Sequence, residues 1–438
     1  MDIIDRSWSR SASNGMNRFI QIFQVPDLRK KVFIVIGLLV ASRVFSAIPI
    51  PGVDAAALRQ FFGSNQLLGL LNLFSGGGLA NLSIAMLGVG PYITSTIIMQ
   101  LLTIIFPKFK EMYYEEGDRG RAKFNQYSRI VAVPLAAMQS FGFLKILASQ
   151  GVITSPTGFD LLRDVIVITA GSMIILWLGE LIGEQKIGNG VSLIIFAGIV
   201  SSLPNSIRLA LEAYTPSMLP TYLAFVIISI LVILGVVYLN EGERKVPVAY
   251  ARRVRGNKMY GGVASYLPLK VNQAGMIPLI FAVSVLLFPQ FLAQVVAIFS
   301  SSLSLTMNNW VNAFLSNQLV YGISYFILVV VFTYFYTAIT FDPNEISKNL
   351  QRSGGFVPGL RPGDMTSKYF SKVINRVTLW GAVFLGLIAV LPIIVQQVTG
   401  VAVLSISGTA LLIVVAVALD TMRQIDSQLT VREYDGIA

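Results

Sequence analysis

Few residues in this sequence could perform acid–base, nucleophilic or metal chemistry. The chain has no His and no Cys, which excludes disulfides, thiolate and imidazole metal sites, Cys nucleophiles and Ser-His-Asp triads. Lys, Asp, Glu and Tyr remain as candidate catalysts, but no predicted membrane span holds an Asp or Glu in its interior. No Gly-x-x-x-x-Gly-Lys-Ser/Thr motif occurs for a nucleotide phosphate. We therefore expect no catalysis, no cofactor and no metal, and any transport would be driven by a partner or by the membrane potential.

The most informative motifs are two pairs of apolar segments that repeat between the halves of the chain. Gly88–Ile93 and Gly275–Ile280 both read Gly-x-x-Pro-x-Ile, and Gly190–Ile195 and Gly408–Ile413 both read Gly-x-x-Leu-x-Ile. Each match alone is weak, because Gly, Leu and Ile are common in membrane helices. Two matches at corresponding places indicate an internal repeat, whose functional site would lie near mid-membrane between the halves. Because proline removes a helical hydrogen bond, each of these two prolines can bend its helix.

The side chains that the repeat carries to the centre are branched aliphatics. Such side chains exclude water, block ions by dewetting and can yield around a bulky substrate. An ion or sugar transporter would instead need acids, bases, hydroxyls or unwound carbonyls there. Any one of these residues could simply pack helices, but four matched segments favour a shared role. The predicted pore ring consists of Val89, Ile93, Val191, Ile195, Ile280 and Ile413.

Hydropathy identifies the helices that must position these residues. The 438 residues are 54% hydrophobic and 13% charged, which is too apolar for a soluble globule of this size. A helix that crosses the bilayer needs roughly 20 apolar residues. Val271–Phe341 and Val377–Leu419 are each long enough for two crossings, with breaks near 300–317 and 396–400. The other six predicted spans are 32–50, 80–103, 127–147, 164–183, 190–207 and 219–239.

Lys and Arg predict the orientation of these spans. The net charge is +11, and the basic residues concentrate in segment 1–31 and in the connections near 104–126, 240–272 and 341–376. Because cytoplasmic connections are rich in Lys and Arg, we expect these loops and both termini to face the cytoplasm. Segment 1–31 has no apolar core, so it does not resemble a cleaved secretory signal.

Five spans in each half place the halves in opposite orientations. The sequence therefore predicts an all-α polytopic membrane protein with ten transmembrane helices in two inverted, pseudo-symmetric halves of five. The N-terminal half comprises 32–210, and the C-terminal half, with cytoplasmic loops 240–272 and 341–376, comprises 211–421. A cytoplasmic tail, 422–438, follows.

One apolar segment, 66–74, is too short to cross a membrane. Gly76-Gly77-Gly78 ends it, and polar Asn and Ser side chains flank or interrupt it. Non-helical backbone is tolerated at membrane depth only when it is buried in protein or faces a water-filled cavity. The segment is either an interfacial helix on the outer surface or a re-entrant half-helix inside a cavity.

Two predicted cytoplasmic loops are larger than a connection between spans requires. Residues 243–255 alternate charged and β-prone residues, which predicts a short hairpin. Residues 354–363 are dense in Gly and Pro, which predicts a shaped loop with few regular hydrogen bonds. A basic protrusion can bind RNA, anionic lipid or an acidic protein surface. Because orientation explains the charge but not the length, we favour docking of a partner.

These motifs resemble those of the SecY family, the channel subunit of the bacterial protein translocase. The resemblance runs from about Pro26 to Gln424. The matching segments are Ala47–Gly52, Phe74–Gly77, Gly90–Ile93, Lys186–Gly190, Leu267–Gly275 and Phe356–Gly363.

The resemblance implies a protein-conducting channel that opens laterally, with no catalysis of its own, in the bacterial cytoplasmic membrane. It implies that the short outer segment is a re-entrant plug helix, at about 65–74, including Asn65, Leu67, Leu68, Leu70, Leu71, Asn72 and Phe74. The family's constriction falls on the six ring positions given above; the family usually has Ile at nearly all of them, whereas two are Val here.

The resemblance also implies partners. SecE and SecG would be partner subunits in the membrane, and the basic loops would dock the SecA motor ATPase or the ribosome, while signal-sequence-bearing polypeptides would pass through the channel or into the lipid bilayer. The expected docking residues are Arg244, Lys245, Arg252, Arg253, Arg255, Arg352 and Arg361.

Other classes of membrane protein fit the sequence less well. A secondary transporter of a small solute also suits ten spans with inverted repeats, but the aliphatic midplane and the large basic loops count against it. An intramembrane enzyme without His or Cys would need paired carboxylates inside its spans. A permease subunit driven by a separate ATPase should show a polar substrate pocket.

Overall fold

The computed structural model describes residues 25–50, 78–79, 82–114, 116–149, 153, 158–212, 215–216, 219–250, 253–255, 258–260, 264–273, 275, 277–299, 301–399 and 402–435. The predicted plug, 65–74, and Arg252 lie outside these residues.

Helices occupy most of the described chain. The first seven are α1 (Pro26–Ala47), α2 (Gly90–Ile105), α3 (Pro107–Tyr114), α4 (Gly117–Ser149), α5 (Gly158–Glu184), α6 (Gly190–Glu212) and α7 (Leu219–Glu241). The next six are α8 (Ile277–Phe299), α9 (Ser301–Ser316), α10 (Gln318–Thr340), α11 (Pro343–Arg352), α12 (Asp364–Thr399) and α13 (Ala402–Asp435). The strands are β1 (Glu243–Tyr250), β2 (Arg253–Arg255), β3 (Lys258–Tyr260), β4 (Ala264–Lys270) and β5 (Gly355–Phe356).

The helices agree with a protein that crosses the membrane many times. Within the described residues, α5, α7, α10 and α12 are long and apolar enough to span a bilayer. Helices α2 and α3 together form a fifth candidate that bends by 112°, and α6 and α8 contain shorter apolar helices. Helices α1, α4 and α13 lie at the remaining predicted spans. The arrangement is consistent with ten crossings.

One predicted boundary was wrong. The second span was expected to begin near residue 80, but successive turns occupy 82–89 and the helix starts only at Gly90. The break expected near 300–317 does separate α8 from α10, and it contains the helix α9. Val311 of α9 is buried while Trp310 is exposed, so a helix with one covered face fills a stretch that hydropathy alone reads as a gap.

The chain divides into two compact units. One comprises the chain up to Leu209 together with the segment from Val417 onward, and the other is Ala210–Ala416. In the first unit the segment after α1 pairs with the turns before α2, since Ile50 N donates to Leu82 O at 2.9 Å and Ile84 N donates to Ile48 O at 3.0 Å. The buried cluster around this pairing includes Leu79, Leu82, Met86, Phe143, Leu147 and Ile168.

In the second unit, close helix packing depends on small residues. Helix α10 packs along α12, where Gly386 leaves room for the ring of Phe326, and Gly235 of α7 leaves room for Phe384. Helix α8 contacts α10 through Phe281, whose ring meets Phe332 edge-on at 5.9 Å.

The strands form two small antiparallel sheets in the second unit. The predicted hairpin within 243–255 was wrong in its pairing. Strand β1 pairs with β4, with Val246 opposite Leu267, and a second two-stranded hairpin, β2–β3, lies between them. Strand β5 adds to the other edge of β1, giving the order β4-β1-β5. Gly355 and Phe356, within 354–363, therefore pair with the 240–272 loop, which local turn propensities do not reveal.

Candidate functional site

The first predicted ring segment, Gly88–Ile93, lies where a series of turns is followed by the start of α2. Gly88 has φ +53, a conformation that glycine adopts without the steric cost of a Cβ. Val89 is the N-cap residue of α2, and Pro91 lies in its first turn. Val89 and Ile93 are both buried, at 1% and 8% exposure.

The matching segment of the second unit has the same local structure. Gly275 has φ +61 and, like Gly88, lies two residues before a helix begins. Pro278 is the second residue of α8, as Pro91 is of α2. Neither proline is placed to bend its helix, because in the first turn proline removes an N–H that has no helical partner and its φ suits a helix start. Ile280 is half-buried.

The second pair of repeat segments differs in local structure. Gly190 begins α6, with Val191 half-buried and Ile195 buried, whereas Gly408 lies inside the continuous helix α13. Ile413 is buried, at 6% exposure. The sequence match between Gly190–Ile195 and Gly408–Ile413 therefore does not extend to where their helices begin.

Helix α5 positions both ring segments of the first unit. The hydroxyl of Ser172 donates to Gly88 O at 3.1 Å, and a Cβ on Gly171 would collide with the carbonyl of Ile84. Further along α5, a Cβ on Gly190 would collide with the carbonyl of Gly179. Ser172 and Gly179 are seven residues apart, which is two turns along one face, or about 10.5 Å.

Four of the six predicted ring residues are thus carried by two segments held against one face of α5. Ile280 and Ile413 belong to the other unit. A ring formed by all six residues stays a prediction.

An ion pair that the sequence did not predict joins α4 to α5. Arg129 Nε contacts Glu180 Oε1, and the Glu180 side chain is only 25% exposed. Each charge lies near the end of an apolar segment, where a water-facing position was the simpler interpretation. The signal for this pair in the sequence is a basic residue and an acidic residue near the facing ends of two consecutive predicted spans.

The two large basic loops form one structural body rather than two. Val246 of β1 and Leu269 of β4 pack in one buried cluster with Val357, Phe370 and Ile374. We call this cluster the loop core. Both basic loops therefore depend on the same buried contacts, which separate inspection of each loop could not show.

Hydrogen bonds fix the backbone of the 354–363 loop around Arg361. Ser347 Oγ donates to Gly363 O, and Thr366 Oγ1 donates to Arg361 O, both at 2.8 Å. Leu360 N donates to Val357 O at 3.0 Å. Arg361 itself is exposed, so a fixed backbone presents its guanidinium to solvent.

Five other expected docking residues lie on described strands and helices of the two basic loops. Arg244 and Lys245 are exposed on β1, where Lys245 Nζ lies 3.8 Å from Glu243 Oε1. Arg253 and Arg255 lie on β2, and Arg352 lies in the last turn of α11.

A buried pair of asparagines connects the basic loop to the start of α8. Asn272 Nδ2 donates to Asn240 Oδ1 at 2.9 Å and to Gly275 O at 3.1 Å. Val271 N donates to Gly242 O at 2.8 Å. Gly275, the left-handed glycine that begins the Gly275–Ile280 segment, is therefore connected through Asn272 to Asn240 at the end of α7. The neighbouring Val271 connects the same region to the base of the sheet. Sequence reasoning missed this link.

Comparisons with known proteins decide the family. The SecY profile matches residues 83–422. The protein translocase subunit SecY of Mycobacterium tuberculosis is 40% identical, over 96% of this chain and 99% of the relative. That of Thermus thermophilus is 42% identical, over 96% of this chain and 97% of the relative.

The chain belongs to the SecY family. Solved structures agree on the fold of this SecY-family chain. A protein-conducting channel superposes with a TM-score of 0.63 at 19% identity, covering 90% of this chain and 91% of that one. Sec61 in the canine ribosome–channel complex from the endoplasmic reticulum gives a TM-score of 0.61 at 18% identity, covering 90% and 91%. This SecY-family chain is therefore a mostly helical, multi-pass membrane protein.

Proposed function

We propose that this chain is the channel-forming subunit of a protein translocase. It passes unfolded secretory polypeptides across the membrane and releases apolar segments sideways into lipid. The observation that carries the proposal is the aliphatic start of α2 and α8, each behind a left-handed glycine and a first-turn proline, within a chain whose family relatives are translocase subunits.

The aliphatic residues of these segments suit a seal around a polypeptide. Branched side chains offer no ligand to an ion and no hydrogen bond to water, so a ring of them dewets when empty. The same side chains fit around any polypeptide, because their contacts are not directional. We propose that Val89, Ile93, Val191, Ile195, Ile280 and Ile413 form this ring, and that segment 65–74 plugs it at rest.

The membrane partners and the orientation follow from the same assignment. The basic loops and both termini face the cytoplasm of a bacterium, where the loop body with Arg244, Arg352 and Arg361 docks the SecA motor or the ribosome. SecE and SecG accompany the chain in the membrane. The chain performs no catalysis, so its partners or the membrane potential supply the energy. No comparison favours the alternative of a small-solute transporter.

Crosslinking to a substrate in transit tests the proposal. A photo-reactive residue at Ile195, in membranes engaged with a stalled secretory chain, should crosslink to that chain. Val200 is the matched control, because it lies on the same helix, about 140° around it, and is 39% exposed. Crosslinks at Ile195 but not at Val200 support a polypeptide pore. Crosslinks at neither position, in protein that is folded and bound to its partners, would contradict it.

A further inference from the structure

The last part of α13 packs against the first unit. The helix continues to Asp435, through most of the segment 422–438, and this part of it belongs to the first unit. Leu429 is 9% exposed and packs with Leu28 of α1, which is 2% exposed. Ile425, one turn earlier on the same face, packs against this pair. The end of α13 is therefore anchored on the beginning of α1.

Gln428 connects α13 to two other segments through the two ends of its side-chain amide. Its Nε2 donates to Lys186 O, and its Oε1 accepts from Lys31 Nζ of α1 at 3.4 Å. Lys186 lies in the short connection 185–189 between α5 and α6 and has φ +57, which is uncommon for a residue with a Cβ. Such a conformation persists only where its surroundings fix it, and the bond from Gln428 fixes its carbonyl.

Thr421 approaches the same connection one step closer to α6. A Cβ on Gly188 would lie 3.2 Å from Thr421 Oγ1 and 2.8 Å from Leu193 Cδ1, so a side chain there would crowd both α13 and α6. Two residues later, a Cβ on Gly190 would collide with the carbonyl of Gly179 on α5. The start of α6 is therefore held by α5 at Gly190 and by α13 at Gly188.

We propose that Gln428 and Leu429 are positioning residues for the predicted ring segment Gly190–Ile195. We call Thr421, Gln428 and Leu429 the α13 clasp. Leu429 fixes the helix on α1, and Gln428 and Thr421 then fix the connection that leads into α6. The inference rests on the proposed role of this segment in the resting seal, but the hold of the clasp on α6 does not depend on the conduction of polypeptides.

The connection transmits this hold to the ring residues. Three residues after Lys186, the side chain of Asn189 caps α6, since its Oδ1 accepts from Ser192 N at 3.2 Å. The first turn of α6 carries Val191, and the next carries Ile195. A shift of the connection therefore moves the beginning of the helix and both aliphatic side chains with it. An aliphatic seal excludes water only while its side chains stay close together, so a released clasp admits water and ions.

Variants of nearly equal shape separate the two bonds of Gln428. Q428E keeps an acceptor for Lys31, but it cannot donate to Lys186 O. K31M removes the other bond and keeps the first. In the full complex in lipid nanodiscs, hydrogen–deuterium exchange of peptides covering 185–195 should be about fivefold faster in Q428E, the usual effect of one lost hydrogen bond. It should change less than twofold in K31M.

Ser427→Ala is the matched control for Gln428. Ser427 is the exposed neighbour of Gln428, and its hydroxyl donates to a carbonyl of its own helix. S427A should leave exchange in 185–195 as in the wild type. Unchanged exchange in Q428E, or an equal increase in S427A, would overturn the clasp.

The buried contact of Leu429 gives a second test. L429A should speed exchange in 185–195 about 30-fold, because a buried Leu→Ala change leaves a cavity, whereas L429M conserves volume and should stay near the wild type. Resting ion leak in planar bilayers is the readout that a purely structural role would not change. Leak should rise in Q428E and L429A and return to the wild-type level in L429M, while the thermal unfolding temperature of Q428E stays unchanged.

Two outcomes distinguish the clasp from the proposed channel. Faster exchange in Q428E without added leak, in a chain whose photo-reactive Ile195 position does crosslink to a substrate, would overturn the role of the clasp in the seal. A failed crosslink at Ile195 together with faster exchange in Q428E would contradict the channel and still support the hold of α13 on α6.

Discussion

Phe370→Ala should loosen both basic loops at once, although Phe370 belongs to α12 and carries no charge. Its side chain is fully buried in the loop core, at 0% exposure, where it packs with Val246 of β1, Leu269 of β4 and Val357 of the 354–363 loop. Removing the ring deletes the largest member of this cluster. The expected result is loss of docking without loss of a single docking residue.

Cavity formation sets the size of the effect. A buried Phe→Ala change typically costs about 3–5 kcal/mol, and a cost of ~3 kcal/mol raises the population of an opened state about 100-fold. Backbone amides that are protected only while the loop core is closed should exchange faster by about that factor. Helices α5 and α6 contribute nothing to the loop core, so their exchange should not change.

Hydrogen–deuterium exchange of the full chain in lipid nanodiscs measures this. Peptides covering β1, β4 and residues 355–363 should all lose protection in the variant. Met365→Ala is the matched control, because Met365 lies on the same helix but is 56% exposed, and its exchange pattern should equal that of the wild type. Faster exchange in only one of the two loops would refute the conclusion that they share one core.

Three further predictions concern the pore, partner docking and the helix contacts. Replacing Ile93 and Ile413 with Gly removes apolar side chains from the predicted ring and should raise resting ion leak in reconstituted bilayers; unchanged conductance would count against the ring. Arg361→Glu reverses an exposed charge on a fixed backbone, so motor-driven export should fall while thermal stability and membrane insertion stay near wild type; a merely unstable variant would remove support for docking. Gly190→Ala places a Cβ against a backbone carbonyl and should lower the thermal unfolding temperature in detergent, whereas Gly183→Ala, with open space around it, should not; equal effects would show that the close approach of α5 and α6 is unimportant.

Hydropathy and charge were sufficient to predict the class of protein and to locate most of its helices. A membrane span is recognised from the summed transfer energy of its own residues, so α5, α7, α10 and α12 could be located without knowledge of their neighbours. The Gly-x-x-Pro repeat was also visible, and the structure gives Gly88 and Gly275 the same left-handed conformation before a helix. A proline in a first turn does not bend its helix, and the sequence does not show that these prolines lie in a first turn.

The contacts between distant segments were not readable from the sequence. The pairing of β1 with β4 and β5, the ion pair of Arg129 with Glu180, and the bond from Ser172 to Gly88 each join residues whose local patterns are complete without the partner. Motif resemblance supplied candidate residues for the ring and for docking, but it did not show that two loops share the loop core.

The sequence by itself determined that this chain is a membrane protein. It also determined which ends of its helices are basic and which aliphatic residues recur in the two halves. These properties are sums over neighbouring residues, and water and lipid act on them directly. Only the tertiary structure decided that α5 holds two ring segments on one face and that one buried cluster supports both basic loops. Such contacts form between residues far apart in the chain, where packing and the satisfaction of buried polar groups select one arrangement among many that the local patterns allow.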